Sequence, residues 1–102
     1  MAHGRNKYQS RENRARVREV LNRDWDPIGI TELGGPEDEY DSYVGDVYVM
    51  LMDERASAEA IAAHLLRIAT ERMGIDPNER LEQDCAQTAA ILIAMRPKFE
   101  TH

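Results

Sequence analysis

Between residues 24 and 46 the chain carries eight acids (Asp24, Asp26, Glu32, Glu37, Asp38, Glu39, Asp41 and Asp46) and no base. Hard divalent cations take carboxylate oxygens, and a loop can converge several on one ion. Asp24, Asp26, Glu37, Asp38, Glu39 and Asp41 are therefore the candidate ligand set. Their spacing matches no Asp-x-Asp-x-Asp-Gly calcium loop, and acids near a helix start have an ordinary role facing the positive end of its dipole. His64 is the candidate base away from the termini. A catalytic base needs a positioned partner within hydrogen-bond reach, and no Cys-His, Ser-His-Asp or His-Glu-x-x-His spacing surrounds it. Cys85, the lone cysteine, falls on an apolar helical stripe, where a thiol is usually inert packing. The expectation is a protein that is not an enzyme, with no catalytic residue, metal ligand or cofactor assigned.

The same acids sit beside aromatic side chains, a combination suited to meeting a partner. Trp25, Asp26, Asp38, Glu39, Tyr40 and Asp41 are the candidate partner-binding residues. Trp25 has two readings: a core plug that closes the loop over the fold, because Trp buries a large area, or a hot spot flanked by Asp24 and Asp26. Tyr40 is expected to be an exposed contact residue. Charge is unevenly spread. Residues 1–23 hold seven Lys/Arg against Glu12 and Glu19, a balance of +5, which leaves −11 on the rest of a chain of net charge −6. The basic segment can pair with the acidic one, or the two can serve separate partners. Phosphate binding by the basic segment is disfavoured by the sequence pI of about 5.0 and the −11 that follows.

Four amphipathic helical patterns must position these groups, and no strand pattern is convincing. The first spans about Ser10 to Asp24, with Ser10 as its cap and Val17, Val20, Leu21 and Trp25 at helical spacing. Pro27 and Gly29 stop it. A loop over residues 25–38, punctuated by Gly34-Gly35-Pro36, leads to the second helix, about Glu39 to Arg55. Gly45 weakens that helix by about 1 kcal/mol relative to Ala. The third spans about Ala58 to Met73, capped by Ser57 and closed by Gly74. The fourth opens on a capping box, with Asp76 as cap, Pro77 first and Glu79 completing it; it ends near Pro97. Its run from Thr88 to Met95 is apolar almost all round, which marks a helix central to its bundle or buried by a second chain. Ala90, Ile91 and Ile93 are the candidate homodimer interface.

The fold expected is all-α: a compact four-helix bundle-like domain with a long loop between helices 1 and 2. Residues 1–9 form a flexible basic arm, 10–97 one helical domain and 98–102 a frayed tail. At 102 residues there is room for one core. No apolar run reaches the roughly 18–20 residues of a membrane helix, no secretory signal core opens the chain, and one unpaired cysteine fits the cytoplasm.

The run Val20-Leu21-Asn22-Arg23-Asp24-Trp25-Asp26-Pro27-Ile28-Gly29-Ile30, followed by Glu39-Tyr40-Asp41-Ser42-Tyr43, resembles the YugE-like family of small uncharacterised bacterial all-helical proteins. The likeness covers roughly residues 17–75. It implies a fold and no activity, and it implies that Trp25, Asp26, Pro27, Gly29, Glu39 and Tyr40 act as a unit. The function expected is protein–protein contact, with the acidic loop 24–46 facing a basic surface, in the manner of an inhibitor or immunity factor. The rivals are a metal-dependent enzyme built on the acids with His64, and a nucleic-acid adaptor using the basic arm.

Overall fold

The computed structural model describes residues 7–27, 29 and 40–100, with the side chains of residues 7 and 8 left aside. Among the described residues there are four helices and no strand. These are α1 (Lys7–Val20), prolonged by a wide turn over Leu21–Trp25; α2 (Asp41–Met52); α3 (Ala58–Arg67), prolonged by a second wide turn over Ile68–Arg72; and α4 (Glu79–Glu100). The all-α expectation holds.

The apolar stripes meet in one core. Val17, Val20, Leu21 and Trp25 come from α1 and its extension, Val47, Tyr48 and Leu51 from α2, Ile61 and Leu65 from α3, and Leu81, Cys85, Ala89 and Leu92 from α4. α4 packs against α1, α2 and α3. Its apolar middle is thus explained in large part by a central place among the other helices.

Both wide turns come from the same choice at a helix end. The Asp26 N–H reaches back five residues to the Leu21 carbonyl (2.8 Å), and the Met73 N–H does the same to Ile68 (3.1 Å). After the first, Asp26 takes a left-handed conformation (φ 34, ψ 57). Aspartate tolerates that region better than most residues, and Pro27 disfavours a right-handed helical conformation at the residue before it. After the second, Gly74 supplies φ +69 at no steric cost.

Several boundaries differ from the pattern reading, each for a physical reason. α1 begins by Lys7, so Ser10 is interior to it and residues 7–9 of the expected arm are helical; residues 1–6 lie outside the described residues. α2 ends at Met52, because Arg55 adopts the left-handed region (φ 49) as the chain turns into α3. Ser57 caps α3 as expected, its Oγ accepting the Ala60 N–H at 3.1 Å. The cap of α4 is Asn78 rather than Asp76. Asn78 Oδ1 accepts from Leu81 N at 2.8 Å, and its own amide donates to the Asp76 carbonyl at 3.1 Å, so Asp76 and Pro77 stay ahead of the helix.

Pro97 does not end α4, and Lys98 to Glu100 are helical rather than frayed. An interior proline costs about 3 kcal/mol. Contacts on both sides of it offset that cost. Phe99 is 2% exposed and packs on Tyr48 with ring centroids 6.1 Å apart. Arg96 donates to the Leu51 and Ala56 carbonyls at 2.7 and 2.6 Å, and Glu100 pairs with Arg55. These interactions bind the end of α4 to the turn between α2 and α3.

Candidate functional site

The wide turn after α1 drops Trp25 into the core, at 2% exposure. Tyr40, the residue before α2, packs against it with centroids 5.2 Å apart, and Tyr43, one helical turn later, meets the indole edge-on at 6.2 Å. The Tyr40 hydroxyl donates to Asp26 Oδ1 at 2.6 Å. This bond crosses from the last turn of α1 to the start of α2, so the chain that leaves at Pro27 and returns at Tyr40 has its two ends tied together on the core.

Trp25 therefore takes the core-plug position. Tyr40 is a correction: it is fully buried, not an exposed contact. Its ring has the indole to cover it and its hydroxyl has a carboxylate to meet, which removes the usual cost of burying a phenol. The Trp25 indole N–H makes no hydrogen bond of ordinary geometry and has the Cys85 thiol as its neighbour. Burial pushes the Cys85 thiol above its ordinary value, and the indole N–H draws it part of the way back.

Two of the acids meet bases from α1 and its extension. Asp41 accepts two bonds from Arg18, at 2.7 and 2.5 Å, and Asp24 accepts from Arg23 at 3.0 Å from Nε and 2.8 Å from Nη2. The side chains of the first pair are 42% and 36% exposed, which places it among surface pairs worth about 0–1 kcal/mol. Internal pairing is thus part of what the charge asymmetry does. Asp38 and Glu39, with Glu32 and Glu37, lie outside the described residues. Among the described residues no three His, Cys, Asp or Glu side chains gather as a metal site. His64 stands apart on α3, half-buried, with Nε2 buried and without a hydrogen-bond partner. The arginines of a nucleic-acid reading are partly engaged: Arg18 and Arg23 as above, and Arg14 with its guanidinium 5.6 Å from the centre of the Tyr48 ring.

A cleft of about 470 Å³ opens where the end of α1 meets the start of α4. Asp24, Asp26 and Asp84 line it together with Arg23, Arg80 and the edge of Trp25. Its charge is mixed, so it favours neither a simple anion nor a simple cation. On the fourth helix, Ala90 is exposed and Ile91 and Ile93 are half-buried against the core.

Two polar groups escaped the pattern reading. Asn13 lies 1% exposed, accepting from Gln9 at 3.0 Å and donating to the Tyr48 hydroxyl at 3.0 Å. Arg96 is the other. Asn13 has a near partner in Gln9, but Tyr48 is 35 residues away, and the carbonyls that hold Arg96 are 40 and 45 residues away, so neither role is legible locally.

Compared with protein-family models, curated proteins and solved structures, the chain matches none. The class defined by the fold is therefore stated from the molecule itself: a small all-α bundle whose first interhelical connection is tied at its base by a Trp-Asp-Tyr cluster.

Proposed function

We propose that the protein acts without catalysis, through protein–protein contact, and that the stretch 24–46 meets a basic surface on its partner. The observation that carries this is the tie between Asp26 and Tyr40 (2.6 Å) at the base of a segment, residues 27–39, that holds four acids and no base. A fixed base lowers the entropy lost when such a segment docks, and uncompensated charge steers a basic partner and speeds association. Trp25 and Tyr40 support the platform from inside. Asp26 is shared between platform and surface, Asp38 and Glu39 belong to the segment itself, and Asp41 can exchange a weak exposed pair with Arg18 for one with the partner. Masking a positively charged active site, as an inhibitor or immunity factor does, is the form within this class that fits best.

We set the reading in the cytoplasm, supported by a lone buried Cys85. Among the described residues no helix is long and apolar enough to cross a membrane. The test uses the full chain as bait in an extract of its own cells at low salt, beside Glu37→Lys/Asp38→Lys. A protein retained by the wild type, released by salt and lost with the double variant is the expected result. Equal capture by both, unchanged at high salt, overturns the proposal.

A second reading, self-association through α4, is favoured by the exposed Ala90 between half-buried Ile91 and Ile93, in a stretch, 85–95, without a charged residue.

A further inference from the structure

We infer that the cleft between the end of α1 and the start of α4 binds a free α-amino acid with an aliphatic side chain. This goes beyond the contact reading and does not depend on it. The cleft has a volume of about 470 Å³, inside the range of roughly 300–1,000 Å³ typical of small-molecule sites. Its walls hold two kinds of surface. Trp25, Pro27, Ile75 and Leu81 supply apolar area, and Arg23, Arg80, Asp24 and Asp84 supply both signs of charge. A lone cation meets the guanidiniums there and a lone anion meets the carboxylates, whereas a zwitterion pairs with both and adds no net charge.

The two ion pairs of the cleft are built differently, and the difference assigns the ends of the ligand. Arg23 holds Asp24 through two nitrogens on one oxygen, Oδ2, at 3.0 and 2.8 Å. Arg80 Nε stands 4.0 Å from Asp84 Oδ2, beyond hydrogen-bond reach. The second pair is therefore open. Arg80 keeps its planar fork for a carboxylate, and Asp84 keeps its oxygens for an ammonium group. An α-amino acid carries both charges on one carbon, so it can engage the two members of such a pair together. Arg80 lies in the first turn of α4, where Asn78 already accepts the Leu81 N–H with its side chain and the Glu82 N–H with its carbonyl. The positive end of this 22-residue helix favours the ligand's carboxylate at the same place. The aliphatic side chain then covers Leu81, Ile75 and the edge of Trp25, where burial of its methylene groups adds to the binding.

Trp25 is the only tryptophan and lines the cleft, so its emission reports occupancy. The full chain is titrated with L-leucine to about 50 mM. Two analogues are titrated beside it: 3-methylbutylamine, which lacks the carboxylate, and 4-methylpentanoate, which lacks the ammonium group. Amide shifts of residues 78–84 are followed in parallel, so that binding silent in emission is still seen. Leucine is expected to saturate both signals and to raise Tm, with each analogue about tenfold weaker or more because one charged hydrogen-bonding end is gone. Arg80→Gln and Asp84→Asn should each weaken leucine about tenfold, while Tm without ligand stays unchanged, as expected for a surface pair. No saturable change in either signal overturns the site. An analogue that binds as tightly as leucine, or leucine affinity unchanged in both variants, overturns it as well. None of these measurements involves Glu37, Asp38 or a partner protein, so their failure leaves the contact reading standing.

Discussion

Removing one oxygen tests the cluster beneath the acidic segment. Tyr40 is fully buried and its hydroxyl donates to Asp26 at 2.6 Å. Tyr40→Phe keeps the ring, and with it the contact on Trp25 at 5.2 Å, so the substitution isolates the hydrogen bond. A bond to a charged acceptor contributes about 1.5–3 kcal/mol. With an unfolding entropy of about 2.1 cal/mol/K per residue, a loss of about 2 kcal/mol lowers Tm by roughly 9 °C in a domain of this size. Trp25 is the only tryptophan, so its emission follows the same region during a thermal or urea melt. Tyr43→Phe is the control: its ring packs edge-on at the half-buried rim, and it is expected to change stability by less than about 0.5 kcal/mol. A Tyr40→Phe melt within about 2 °C of wild type would refute the claim that this bond fixes the base of the segment.

Two further outcomes follow from the packing. Gly45 sits inside α2 with nothing within 4 Å of where a Cβ would stand. Gly45→Ala should therefore raise stability by about 0.5–1 kcal/mol in a urea titration, through helix propensity alone; a lower midpoint would mean a neighbour intrudes there. Cys85 gives a pH dependence. Burial raises its folded-state pKa, so the unfolded chain gives up this proton first. The thiol's contribution is present in full below about pH 8.5, the unfolded value, and is lost as pH rises through the folded value. Stability should fall more steeply above pH 9 in the wild type than in Cys85→Ala, and equal slopes would show that the sulfur is not shielded.

What the sequence discloses and what it hides divide by range. The four helices are readable because each carries its own apolar period, and Ser57 and Gly74 mark an end with chemistry that acts within four residues. Even the Trp25 plug is visible, since a large ring at the close of an amphipathic pattern has few other places to go. The failures that concern the site are non-local; the cap of α4, set by Asn78 rather than Asp76, is a local one. Tyr40 looks like a surface residue in Glu-Asp-Glu-Tyr-Asp because its neighbours in sequence are acids, while its neighbours in space are an indole and Asp26, 14 residues away. Asn13 reads as part of a charged face until Tyr48 supplies its partner.

Pro97 shows why such errors are systematic. Local rules rank it as a helix end, and by local energies they are right by about 3 kcal/mol. The ranking is reversed by a buried Phe99, worth about 1.5–3 kcal/mol, together with the two short bonds from Arg96 to carbonyls of the α2–α3 turn. Each of these depends on α2 and α4 already lying side by side. A helix end of this kind is a property of the assembled core. It follows that removing the tertiary partner should restore the local preference: with Phe99→Ala, the last turn after Pro97 loses its main anchor and amide exchange there should rise sharply, while the turns before Ala94 stay protected. Exchange that remained slow on both sides of the proline would show that the helix holds itself through that residue, and would place the cause in the backbone rather than in the packing.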